Sequence, residues 1–267
     1  MITHERMIRH KRMAFWDEGS GDVLLLVHGF PLSRKMWEAV IPSLSTSYRV
    51  LAPDLLGFGE SSREGAAVTM RQAAEDLAAF LDDLTIDAPI TLIGLSMGGY
   101  IAFEFWKNSP DKLDRLILCD TKATADSAQA IEQRHAMAQL ALEQGSKTAT
   151  EPMISRLLGT ASRTQAELVD ALQSMMFSAP PSTIAAAQHA MAKRHSFEED
   201  LEQMRIPCLV LCGAEDVLSP PAEMQRMASR LPDARFHIIE SAGHMAPMEK
   251  PATFLQHVQE FLNATAH

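Results

Sequence analysis

The sequence predicts an α/β fold: a mostly parallel central sheet flanked by helices, with a helical segment inserted after the sixth strand. Three observations lead there. Unbroken apolar runs of strand length, as at Val23 to Val27, fit strands buried on both faces of a parallel sheet. Helical patterns alternate with such runs up to Cys119, as βαβ units require. The alternation then stops between about Thr121 and Gln203, where helical spacing prevails, and resumes at Pro207.

The elements follow in order. Residues 6 to 16 suit one or two edge strands, and the turn cluster Asp17 to Asp22 leads into Val23–Val27. Ser33 is expected to cap a helix carrying Met36, Trp37, Val40 and Ile41, and Tyr48 to Pro53 reads as the next strand. The glycine-containing stretch Asp54 to Ser62 is a loop. Thr69 opens a periodic helix through Ala73, Leu77, Phe80, Leu81 and Leu84. A strand from Ile90 meets Ser96, a helix covers Met97 to Asn108, and Leu113 to Cys119 is a strand. In the insertion, helices are expected around 126 to 143, from Ser162 or Thr164 through Met176, and after Pro180-Pro181 with Ser182 as cap. A strand from Pro207 to Gly213, a helix from Pro221 to Leu231, a strand from Arg235 to Glu240 and a helix from Pro251 to Asn263 complete the chain. The division predicted is 1–120 and 204–267 as one core, and 121–203 as a helical cap.

Composition limits the partners. At 267 residues, roughly 70 to 75% of the unfolded surface can be buried, enough for a large core. The formal net charge of −10 disfavours nucleic acid and anionic lipid, and no apolar run has the length of a membrane span. The polar, basic N-terminus lacks a signal-peptide core, so a cytoplasmic protein is expected. Cys119, Cys208 and Cys212 are odd in number and lie in or beside apolar runs, so buried free thiols are expected in place of disulfides or a zinc site. Nothing in the pattern sets an oligomeric state.

The chemistry centres on Gly94-Leu95-Ser96-Met97-Gly98-Gly99, where an apolar run ends at a serine between glycines and a helix begins. A serine hydroxyl is a weak nucleophile without a base, an orienting acid and oxyanion donors. Gly213-Ala214-Glu215-Asp216 supplies an acid just after one strand, and Ser241-Ala242-Gly243-His244 a histidine just after the last. The carboxyl ends of parallel strands share one edge, so Ser96, Asp216 and His244 can converge there, in the chain order Ser, Asp, His. Glu215 and Asp120, which follows the strand ending at Cys119, are competing acids.

Taken together these segments resemble the α/β-hydrolase superfamily over nearly the whole chain. His28-Gly29-Phe30-Pro31 is similar to its oxyanion loop, Asp54 to Ser61 to the loop after the fourth strand, and Gly94 to Gly99 to its nucleophile elbow. Gly213 to Asp216 and Gly243-His244 are similar to the acid and base segments. Within the superfamily the pattern is similar to small cap-bearing esterases and lactonases, including the enol-lactonase, C–C hydrolase and cofactor-free haloperoxidase groups. Dehalogenases and epoxide hydrolases of this fold carry aspartate at the elbow, so Ser96 argues against both. The resemblance implies Ser96 as nucleophile, His244 as base, Asp216 as its orienting acid, and the N–H groups of Phe30 and Met97 as the oxyanion hole. It also implies no metal and no organic cofactor.

His28 and Asp54 are read as braces for neighbouring loops. Met137, Met153, Met175, Met176 and Met191 either line an acyl pocket or pack cap on core, and Lys122, Arg134, Arg156 and Arg194 either meet a substrate carboxylate or face solvent. Three functions fit this pattern: hydrolysis of a small carboxylic ester or lactone, C–C hydrolysis of a β-diketone-like substrate, and a hydrolase-like ligand sensor with vestigial turnover.

Overall fold

The computed structural model describes residues 1–63 and 69–265, so residues 266 and 267 at the end of the second core segment lie outside the described residues. The eight strands are β1 (Thr3–Ile8), β2 (Lys11–Glu18), β3 (Val23–Val27), β4 (Arg49–Pro53), β5 (Ile90–Leu95), β6 (Leu113–Cys119), β7 (Cys208–Gly213) and β8 (Ala234–Ile239). They form one sheet in the order β1-β2-β4-β3-β5-β6-β7-β8. Only β2 runs antiparallel to its neighbours; every other pair is parallel. The predicted edge strands are a hairpin closed by Arg9 and His10, both at positive φ as a tight hairpin turn requires.

The sheet is covered on both faces because its strands are apolar on both. In β3, Leu25 and Val27 join one buried cluster while Leu24 and Leu26 join the other. The first cluster packs on α2 (Met70–Asp83), α3 (Met97–Asn108) and α8 (Pro221–Arg230) through Leu77, Phe80, Ile101, Phe105, Met224 and Met227. The second packs on α1 (Ile41–Leu44), α9 (Ala246–Glu249) and α10 (Pro251–Ala264) through Ile41, Leu44, Ala246, Phe254, Val258 and Phe261. A fully buried side chain such as Phe254 contributes about 1.5–3 kcal/mol relative to exposure. Cys119, Cys208 and Cys212 are free and buried; burial pushes the Cys208 thiol up to about 12 and raises the other two as well.

Two helix starts differ from expectation. Ser33 makes no capping hydrogen bond, and the segment after it is a 3-10 turn, Arg34–Trp37, followed by the short α1. The cause is tertiary: the Arg34 N–H donates to Asp54 Oδ1 at 2.7 Å, while Pro42 in the first turn of α1 has no N–H to extend the earlier turn. Thr69, in contrast, caps α2 by accepting from the Gln72 N–H at 3.0 Å. Between β6 and β7 lie α4 (Ala128–Thr150), α5 (Ile154–Leu157), α6 (Ala166–Ser178) and α7 (Pro181–Ala192), with no strand among the described residues there. The backbone of α4 breaks at Gly145, whose φ of 87° is left-handed. The cap position of α7 is Pro180, so Ser182 falls inside the first turn.

Candidate active site

The sheet's topology reverses between β3 and β5, since β4 lies on one side of β3 and β5 on the other. At such a switch point the loops leaving adjacent strand ends diverge and open a crevice. His28 to Phe30 leave β3 there, and Ser96 leaves β5. The two loops are in contact, because a side-chain carbon added at Gly29 would lie 3.5 Å from Ser96 Cβ.

Ser96 has φ 54° and ψ −111°, a conformation costing of order 1–3 kcal/mol for a residue with a side chain. The surroundings hold it. Its N–H donates to the Cys119 carbonyl at 2.9 Å, and its own carbonyl accepts from Thr121 Oγ1 at 2.8 Å. The flanking glycines are steric necessities: a Cβ at Gly94 would stand 2.5 Å from the Gly98 carbonyl oxygen, and one at Gly98 would stand 2.2 Å from that of Val27. So tight a turn projects the serine from the strand end into the crevice.

The acid and base also meet. His244 Nδ1 is 2.8 Å from Asp216 Oδ2, both residues being buried, and Asp216 Oδ1 accepts from the Leu218 and Ser219 N–H groups at 2.7 and 3.1 Å. Burial pushes the Asp216 carboxyl upward, but His244 and the two N–H groups outweigh it and hold it below the ordinary carboxylate value. Asp120 is the opposite case. It is fully buried, and burial together with the charge on Asp216 raises its carboxyl far above the usual range. Its Oδ1 accepts from the Gly213 N–H at 2.8 Å, while Oδ2 is shut from solvent with no donor. A buried carboxyl with one oxygen lacking any donor is disfavoured in its charged form, in the same direction as this shift. Glu215 points elsewhere, its carboxylate accepting from the Thr160 N–H at 2.6 Å.

Ser96, His244 and Phe30 line a single cavity of about 210 Å³ that opens to solvent between the sheet edge and the helices of the insertion. Phe30 N–H has no acceptor among the described residues, and Met97 opens α3, where first-turn N–H groups have no intrahelical acceptor. Asp120, Asp216 and His244 bring one metal-ligand type of atom each within 4.8 Å of one another. Both Asp216 oxygens and Asp120 Oδ1 are already engaged in protein hydrogen bonds.

A family model described as the alpha/beta hydrolase fold matches residues 22–251. The chain belongs to the α/β-hydrolase family. Among solved structures, a thermophilic esterase from Thermogutta terrifontis with malate bound is 40% identical, covers 100% of both chains and superposes at a TM-score of 0.95. A 3-oxoadipate enol-lactonase from Acinetobacter baylyi is 26% identical over 90% of this chain and 88% of its own. A 2-hydroxy-6-oxo-2,4-heptadienoate hydrolase from Pseudomonas putida is 27% identical over 93% and 91%.

The remaining expected residues of this α/β-hydrolase divide clearly. His28 is buried between loops, Nδ1 on the Gly29 carbonyl at 2.9 Å and Nε2 accepting from the Leu55 N–H at 3.0 Å. Burial lowers its pKa, so the ring is neutral, as an accepting Nε2 requires. Asp54 accepts from the Arg34 N–H and guanidinium and from the Glu60 N–H, tying the two loops together. Met137, Met153 and Met191 line the cavity, whereas Met175 and Met176 are packed in the core. Lys122, Arg134 and Arg156 line it too; Arg194 lies beneath, its guanidinium 4.1 Å from the Tyr100 ring centre.

Glu249 is a residue that sequence reasoning missed. Its carboxylate accepts from the N–H groups of Gly243 (2.8 Å) and Met245 (3.1 Å), which flank His244, and of Gly159 (2.7 Å) in the insertion. His244 N–H also donates to the Leu157 carbonyl at 2.8 Å. The partners are backbone groups, which any residue type supplies, so no sequence signal marks them. Glu249→Gln presents a donor where an acceptor is needed, and one charged hydrogen bond contributes about 1.5–3 kcal/mol. We expect roughly a tenfold fall in kcat with a lowered Tm; unchanged kcat in steady-state assays would remove Glu249 from this role.

Proposed function

We propose that this hydrolase cleaves a small carboxylic ester or lactone through an acyl-enzyme formed on Ser96. The observation that carries the reading is the His244–Asp216 hydrogen bond at 2.8 Å, in a cavity that Ser96 shares with His244. Ser96 attacks the carbonyl carbon while His244 Nε2 takes its proton. Asp216 keeps the other imidazole proton on Nδ1 and stabilises the imidazolium. The N–H groups of Phe30 and Met97 receive the oxyanion, each contributing about 3–4 kcal/mol in comparable sites. His244 protonates the leaving oxygen, then activates the water that cleaves the acyl-enzyme. No metal or organic cofactor enters this sequence. Residues 121–203 act as the cap over a core of 1–120 and 204–267, in a cytoplasmic enzyme whose partner is a small molecule.

The similarity to the Pseudomonas putida hydrolase supports a second reading, C–C hydrolysis of a β-diketone-like substrate by the same residues. One experiment separates them: product analysis on esters, lactones and a β-diketone, with a fluorophosphonate label located by peptide mass spectrometry. Labelling of Ser96 with release of acid from esters or lactones is expected. Absence of label at Ser96 together with no hydrolysis of any of the substrates would overturn both readings.

A further inference from the structure

The charge of the cavity runs against that of the chain. In a protein of formal net charge −10, the cavity wall carries Lys122, Arg134 and Arg156, against Asp126 as the one carboxylate among the described lining residues. Asp126 is itself claimed twice. It pairs with Arg134 and, at 3.0 Å, with the buried Arg194. Arg134 is further fixed by donating to Gln188 Oε1 at 3.2 Å. Lys122 and Arg156 have no carboxylate within ion-pair distance among the described residues.

Both cations line the cavity from segments that touch the reacting groups. Lys122 follows Thr121, whose hydroxyl holds the Ser96 carbonyl at 2.8 Å; Arg156 precedes Leu157, whose carbonyl takes the His244 N–H at 2.8 Å. Each is therefore one residue from a direct contact with the nucleophile or the base. Lys122 is half-buried. Withdrawing Lys122 from water without a counter-charge is unfavourable, and an anionic ligand offsets that cost, while the exposed Arg156 adds a guanidinium on the same cavity.

We infer that the substrate carries a free carboxylate besides its scissile ester or lactone carbonyl, and that Lys122 and Arg156 recognise it while Asp126 holds Arg134 in the wall. This rests on the ester or lactone hydrolase reading above. The carboxylate is a spectator: the acyl C–O bond breaks and the Ser96 ester forms as for any other substrate.

The test compares monoethyl adipate with ethyl hexanoate, which have the same acyl chain length but only the first of which is anionic. The ratio of their kcat/KM values cancels any loss of folded enzyme. We expect about a tenfold or greater preference for monoethyl adipate at low salt. Lys122→Gln and Arg156→Gln should each reduce that ratio severalfold and the double variant should abolish it. Lys147→Gln, the same charge change at an exposed position away from the cavity, should leave the ratio intact. About 0.5 M NaCl, where charges are screened within a few ångströms, should weaken the preference. Turnover of ethyl hexanoate with no preference for the anion overturns this inference alone, as does a preference that survives in the double variant. No turnover of either ester, with no phosphonate label on Ser96, overturns the hydrolase reading beneath it.

Discussion

Ser96→Ala is expected to lower kcat on an activated ester by about a millionfold, with KM changed far less and Tm unchanged or raised. The magnitude follows from the proposed role of Ser96 Oγ as the attacking oxygen, which alone would form a bond to substrate. The oxyanion donors and the cavity remain in the variant, so a small residual rate above that in water should persist. Stability should not suffer. Ser96 makes its recorded hydrogen bonds through its N–H and carbonyl, which alanine keeps, and its positive φ is imposed by the elbow. A folded alanine variant that retains more than about a hundredth of the activity would mean that another group attacks.

The second large effect separates two buried acids. Asp216→Asn should cost about ten-thousandfold in kcat, because an amide facing His244 Nδ1 donates where the carboxylate accepts. The imidazole proton then moves to Nε2, which can no longer take the serine proton. Asp120→Asn should retain most of the activity, since burial and the Asp216 charge already favour the neutral form of Asp120, and its Oδ1 bond to the Gly213 N–H survives in asparagine. The two variants also differ in stability against pH. Asp120 has a folded-state pKa raised above its unfolded value of about 3.9, so the unfolded chain releases this proton first as pH rises. Wild-type stability therefore falls with pH above about 4 through this group, and the Asn variant is spared that fall. Its Tm relative to wild type should rise from pH 4 to pH 7. A severe kcat loss in Asp120→Asn with Asp216→Asn active would exchange the two roles.

Much of this was legible because it is local or periodic. The apolar run Val23–Val27 coincides with β3, and Thr69 caps α2 through its own side chain. The elbow was legible for a steric reason. Only glycine leaves room at positions 94 and 98, so the turn writes itself into residue types. Ser33 and Ser182 were misread because a capping residue is recognised by type, while whether it caps depends on neighbours. At Ser33 the deciding neighbour was Asp54, twenty-one residues on, and after Pro180 it was the early start of α7.

By itself, then, the sequence determined a mostly parallel α/β sheet, a strained serine at one strand end, and an acid and a histidine at two others. Alternation of side chains across a sheet and the sharpness of one turn both leave marks on residue identity. Only the tertiary structure decided which carboxylate His244 meets, because Asp120, Glu215 and Asp216 are chemically alike and differ in burial and in what they accept from. It alone also brought Lys122 and Arg156 to one cavity and Glu249 beneath the His244 loop. Charge recognition and backbone capping across distant segments depend on distances that spacing along a chain does not encode.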